Sequence, residues 1–161
     1  MSRKSTVESL VELLDGEETK LGYRFSAELL DTSDEVYVKV VAQDYEDFPI
    51  IGRVTSLSKD DESARIIFSS VLFEASELNI FQKNEINEEF LILNTILDLS
   101  GLSLVNGKYV IYGELSATSE DKDIVLEVET LLANYLDVLD NVIERVNLLG
   151  DYDPKLAIEE A

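Results

Sequence analysis

The side chains best placed to do chemistry are carboxylates. Asp44, Glu46 and Asp47 stand within four residues, Asp60-Asp61-Glu62 are consecutive, and Asp151 and Asp153 flank a tyrosine. Such oxygens suit hard cations like calcium, which takes about six to eight of them. None of the groups has the EF-hand spacing, with its central glycine and terminal glutamate. They read as solvated turns without a cage, so the expectation is no stoichiometric metal and no cofactor. A divalent cation held by the acidic loops stays open as the alternative.

A carboxylate pair can also act as acid and base on a glycosidic bond. That chemistry works in a cleft lined with aromatics, and this chain has no Trp and nothing that singles out one pair. Phosphate loops are missing too: the 7 glycines are scattered, with neither GxGxxG nor GxxxxGK[ST] among them. Gly113-Glu114-Leu115-Ser116-Ala117 puts a serine near a glycine but does not match GxSxG. With no histidine to activate it, Ser116 reads as a turn or cap residue. The absence of His removes Ser-His-Asp triads and imidazole metal sites, and the absence of Cys removes thiolate chemistry and disulfides. No catalytic residue is assigned, and the expectation is a protein that is not an enzyme.

The charge balance restricts partners further. Against 13 Lys+Arg stand 34 Asp+Glu, a net charge of −21. A nucleic-acid binder needs a basic stripe to displace phosphate counterions, and the one adjacent basic pair is Arg3-Lys4. Phe25, Tyr109 and Tyr112 fall on strand positions and read as sheet residues, because base-stacking platforms work beside basic grooves. A field this negative repels an anionic leaflet as well. No signal peptide or roughly 20-residue apolar span is visible, so the expected location is the cytoplasm.

The elements that position these residues follow from periodicity. Ser5 and Glu8 fit a capping box before Val7, Leu10, Val11 and Leu14 at helical spacing, with Gly16 as a stop. From Leu21 to Leu29, and again from Val36 to Gln43, the period is two, with Asp31-Thr32-Ser33-Asp34 between as a turn. After the acidic loop, strands are expected over Ile50–Leu57 and Ala64–Phe73, joined by the turn Lys59-Asp60-Asp61-Glu62. Ile66-Ile67-Phe68 is apolar on both faces, which predicts a central strand covered on both sides. Asn84 or Asn87 is expected to open a second helix that runs over Phe90, Leu91, Leu93, Leu97 and Leu99 to Gly101. Asn106-Gly107, between Leu102–Val105 and Tyr109–Leu115, is a type I′ hairpin signal. Thr118 or Ser119 then caps a long helix over about 120–149. The reading is α+β, an antiparallel sheet with helices in the order α-β-β-β-β-α-β-β-α, over a single domain of residues 1–150. Residues 151–161 are expected to form a flexible acidic tail.

The last helix carries more apolar surface than one sheet contact needs. Ile124, Val128, Leu131, Tyr135, Val138, Leu139, Val142 and Val146 form one stripe, while Val125, Leu132, Leu136 and Ile143 form a shoulder beside it. Together they span an arc of roughly 160°, against about 100° for a single face. Glu127, Glu129, Asp137, Asp140 and Glu144 occupy much of the remainder. Two readings stay open: another helix of the same chain covers the shoulder, or a partner does. In the second, the candidate binding residues are Val125, Leu132, Leu136 and Ile143 with Asp137, Asp140 and Glu144 beside them. The partner would be a basic amphipathic or coiled-coil helix, or a second copy forming a homodimer.

The C-terminal half also resembles a known family. Phe90–Leu99, the hairpin Leu102-Ser103-Leu104-Val105-Asn106-Gly107-Lys108-Tyr109, the run Tyr112-Gly113-Glu114-Leu115-Ser116-Ala117-Thr118-Ser119, and Ile124–Asn134 with its Glu127-Val128-Glu129-Thr130-Leu131 core are similar to the YjfI-like family, domain of unknown function 2170. The resemblance implies a small acidic cytosolic protein with no catalytic residues to carry over. It also implies company with phage-shock-protein-A-like coiled-coil proteins of the membrane-stress response. The element order is similar to that of type III secretion chaperones and YbjN-like proteins, which implies a chaperone-like fold. The acidic tail after Leu149 departs from the family pattern. Taken together, the expected function is a non-catalytic adaptor or chaperone-like binder of a protein partner; the alternative is a cation-dependent regulator using the acidic loops.

Overall fold

The structure is a computed structural model and describes residues 3–56 and 64–148. The turn expected at Lys59–Glu62 and the tail 151–161 lie outside the described residues. Helix α1 (Arg3–Leu14) leads into β1 (Phe25–Asp31), β2 (Val36–Ala42), β3 (Ile50–Ser56) and β4 (Ala64–Glu74). A 3₁₀ turn over Ala75–Glu77 precedes α2 (Ile80–Leu93), the hairpin β5 (Gly101–Val105) and β6 (Lys108–Ser116), and α3 (Asp121–Leu148). The six strands form one antiparallel sheet in the order β1-β2-β3-β4-β6-β5. The α+β class and the element order are those read from the sequence.

Strand alternation divides the sheet into two unlike faces. Phe25 of β1, Val38, Val40 and Ala42 of β2, Ile50 and Val54 of β3, Ile66 and Phe68 of β4, and Tyr109 and Ile111 of β6 are buried on one side. All three helices lie there. Val7, Leu10 and Leu14 of α1 are buried above β1–β3. Phe90 of α2 meets Tyr109 edge-on at 5.2 Å, and Phe73 packs against both rings. A bulge between Val71 and Phe73 turns Phe73 into this layer. Gly52 sits where a Cβ would come within 2.6 Å of the Phe68 ring and the Val38 side chain, so two large neighbours use the space its missing side chain leaves.

Several boundaries differ from expectation, each for a local reason. Helix α1 begins at Arg3, which puts Ser5 inside its first turn rather than ahead of it. Leu21 and Tyr23 alternate like a strand but belong to a turn: Gly22 has φ +89°, Thr19 N–H donates to Tyr23 O, and the strand proper starts at Phe25. Helix α2 starts at Ile80, earlier than Asn84 or Asn87. Asn79 is its N-cap, with a reciprocal box in which Asn79 accepts from Gln82 N and Gln82 accepts from Asn79 N. Thr118 and Ser119 lie in the turn before α3, where Ser116 Oγ accepts from Thr118 N. Asn106 (φ +50°) and Gly107 (φ +76°) form the type I′ turn between Val105 and Lys108.

β4 is central, between β3 and β6, as the apolar run Ile66-Ile67-Phe68 predicts. It is covered on one side. Phe68 is fully buried, whereas Ile67 is half-buried on the opposite face, where no described helix packs.

Candidate partner-binding surfaces

On α3 the stripe Ile124, Val128, Leu131, Tyr135, Val138 and Val142 is buried, as its spacing requires. The shoulder divides. Leu132 is 1% exposed and belongs to the core, which removes it from any surface a partner can reach. Leu136 is half-buried and packs on that core. Val125 lines a cleft of about 520 Å³ together with Leu13 of α1, the segment Glu17–Lys20 and Leu126. The side chain of Ile143 is outside the described residues. The first of the two readings therefore accounts for Leu132, because the core fills the space beside it. Asp137, Asp140 and Glu144 are exposed and remain available to a basic partner.

Two carboxylates expected on the solvated side of α3 are buried instead. Glu129 accepts a hydrogen bond from Leu21 N at 3.1 Å and so ties the 19–23 turn to the helix. Glu127 lies over β6 at Gly113, where a Cβ would overlap its Oε1, and this oxygen has no hydrogen-bond partner among the described residues. Burial pushes its carboxyl up to about 7. Two turns further on, Asn134 donates to Asp98 O at 2.8 Å and to Ser100 Oγ at 3.0 Å. Between those contacts Leu99 holds φ +60°, which an L-residue adopts only when its surroundings fix it. Glu127, Glu129 and Asn134 thus serve architecture. The sequence shows them as polar residues on a helix; the 14-residue separation from Gly113 to Glu127 gives no local signal of their contact.

Surface apolar side chains concentrate at the end of the molecule formed by α2 and β5. Leu91 is 72% exposed and Ile96 66%, with Ile92, Leu99, Leu104 and Val105 about half exposed. Between Phe90 and Gly113 the sequence has one acid, Asp98, and one base, Lys108, in a chain with 34 acids. β5 is the sheet edge here. Asn94, just after α2, accepts from Leu102 N at 2.7 Å and donates to Leu102 O at 3.1 Å, so its amide closes the outward side of that residue as a neighbouring strand would. Hydrogen-bonded and non-hydrogen-bonded pairs alternate along an antiparallel ladder. Leu104, two residues on, therefore also turns its N–H and C=O outward. Lateral growth is blocked at Leu102 and open at Leu104.

Among the described residues no three acids are placed to share a metal ion, and no helix is long and apolar enough to cross a membrane.

An antiparallel sheet with three described helices on one face and a charge-poor apolar end defines the class. The family described as an uncharacterized protein conserved in bacteria, DUF2170, matches residues 4–145, and the chain belongs to it. No curated relative matches the sequence. Among solved structures, a chain of the ExsC–ExsE complex is similar over 80% of this chain and 90% of that one, at 13% identity and a TM-score of 0.40. A likeness of that size carries no argument about partner or activity.

Proposed function

We propose that this protein is a non-catalytic adaptor that binds a protein partner through its α2–β5 end. The observation that carries the reading is the set Leu91, Ile92, Ile96 and Leu104, exposed together in the one long stretch from which acids are nearly absent. Exposed apolar surface of this kind supplies affinity, while the strongly negative remainder keeps the molecule soluble and steers a partner of opposite charge. The partner class is an amphipathic helix whose apolar stripe lies on these four residues and whose Lys and Arg meet exposed Glu88 and Asp98. A phage-shock-protein-A-like coiled-coil protein in the membrane-stress response, met in the cytoplasm, fits that chemistry and the family resemblance. The exposed acids Asp137, Asp140 and Glu144 on α3 favour a second geometry, in which the basic helix lies along the end of α3.

The test is site-specific photo-crosslinking in cells, with the crosslinker at Ile92 and, separately, at Asp137. Capture of one coiled-coil protein from position 92, lost in Leu91→Asp, supports the α2–β5 site. Capture from position 137 with none from 92 moves the site to α3. Absence of any adduct at both positions refutes the binding role.

A further inference from the structure

The face of the sheet away from the helices has a composition unlike the rest of the chain. Strand register places Leu30, Tyr37, Val41, Ile51, Ile67, Val71, Val110, Tyr112 and Val105 on it. Val71 is 46% exposed and Tyr112 38%. Ser26, Thr55, Ser69, Ser103 and Ser116 share the face, so apolar and polar side chains are interspersed on it. Its charges are mixed: Lys39, Arg53, Arg65 and Lys108 stand among Glu28, Glu74 and Glu114. Lys39 lies 3.8 Å from Glu28 and Arg65 lies 3.9 Å from Glu114, while Glu74 pairs in register with Lys108. Four cations against three carboxylates leave this face close to neutral in a chain of net charge −21.

We infer that this face is a self-association surface, on which two copies stack their sheets with the helices outward. A partner of opposite charge has little to recognise here, because cations and carboxylates nearly balance on this face. A second copy brings the same nearly neutral set, and a two-fold contact sets each patch against itself, so little net repulsion arises across the contact. The arrangement also puts the acidic helical layers on opposite outer sides, as far apart as two copies in contact can hold them. Size is sufficient. Six strands about 4.8 Å apart and about seven residues long at 3.3 Å each present roughly 660 Å² per copy. The resulting total of about 1,300 Å² lies within the range of stable interfaces. Stacked sheets pack about 10 Å apart with their strands roughly 30° from parallel. The surface adjoins the α2–β5 end at Val105 but does not depend on a partner bound there.

Salt gives this proposal a sign. Two copies of net charge −21 repel, so raising salt to about 1 M, where the Debye length is roughly 3 Å, should tighten the dimer, whereas a contact between opposite charges would loosen. The experiment is sedimentation equilibrium of the full chain over a concentration series at low and high salt, with Val71→Asp, Tyr112→Asp and Leu91→Asp alongside. Expected are a dimer that tightens at high salt, an association at least about 10-fold weaker in Val71→Asp and Tyr112→Asp, and no change in Leu91→Asp, every variant first shown folded by its melting curve. If Val71→Asp does not fold, Tyr112→Asp decides. A monomer at every concentration and salt overturns the proposal. So does a dimer that loosens with salt, one untouched by the open-face variants, or one lost in Leu91→Asp.

Discussion

Ile67 and Phe68 are neighbours in β4 and point to opposite sides of the sheet. Phe68 is fully buried beneath the helices, while Ile67 is half-buried on the open side. The two faces are equally strand-like, yet the one lined by Phe25, Val38, Val40, Ile66 and Phe68 is the core of a monomer, and the other, where Ile51, Ile67 and Val71 stand among Lys39, Arg53 and Arg65, is a surface. Apolar alternation specifies where a strand is; what covers each face is decided by the number of elements left to lie on it. Three helices suffice for one side of a six-stranded sheet.

The sharpest way to break that comparison is to truncate both residues. Phe68→Ala should cost about 3–5 kcal/mol, the usual price of removing a buried aromatic ring. Ile67→Ala should cost well under half as much in dilute protein, where no second copy covers it. Urea melts of both variants measure this, and equal losses would mean that the open side is covered within the monomer.

A smaller effect is expected at Glu127, whose buried oxygen lacks a hydrogen-bond partner among the described residues. Burial raises Glu127 from 4.5 in the unfolded chain to about 7 in the fold, so the folded state binds the proton more tightly. Its contribution to stability is fully present below about pH 4.5 and is lost as pH rises through 7. Glu127→Gln removes the titration, and the variant should be more stable than wild type at pH 8 by about 1–3 kcal/mol, the scale of a buried unsatisfied polar group. The gap should close towards pH 5. Taking the difference between the two proteins cancels the self-repulsion they share. A constant difference across that range would show that Glu127 does not titrate there, and that water reaches the covered layer.

The smallest effect is at the sheet edge. Asn94→Ala leaves both outward groups of Leu102 without the amide, at a cost of about 1–2 kcal/mol. Amide hydrogen exchange at Leu102 should speed up more than at Phe68 or Ile111. Unchanged exchange at Leu102 would mean that β5 is held by its pairing with β6 alone.

Much of this architecture was legible in the residues. Period-two runs located β2, β3 and β4 to within a residue, and Asn106-Gly107 located the hairpin, because these signals are local and sterically enforced. The start of α2 was equally local, in the box of Asn79 and Gln82, but apolar residues on both sides of that helix obscure it: Ile86 and Phe90 face the sheet while Leu91 and Ile92 face water. The turn at Leu21–Tyr23 imitates a strand until Gly22 takes its positive φ. The burial of Glu127 depends on Gly113, which only the folded sheet brings beneath it. Arc width on α3 does not distinguish a partner from the chain's own core, and Leu132 went to the core.

The strand order has a consequence for how the chain reaches this state. β1 to β4 pair in sequence, so each ladder closes a short loop. β6 instead pairs with β4 across the whole of α2 and β5, and those long-range pairs carry the loop-closure entropy of the segment between. A hairpin of this kind closes in about 1–10 μs, so β5 and β6 come together before β6 meets β4. The second half of the sheet then docks as a finished ribbon, and until it does, the free edge of β6 and the outer edge of β4 stand open. The turn at Asn106-Gly107 shortens that interval, which makes a two-residue loop a kinetic safeguard against pairing with the wrong chain.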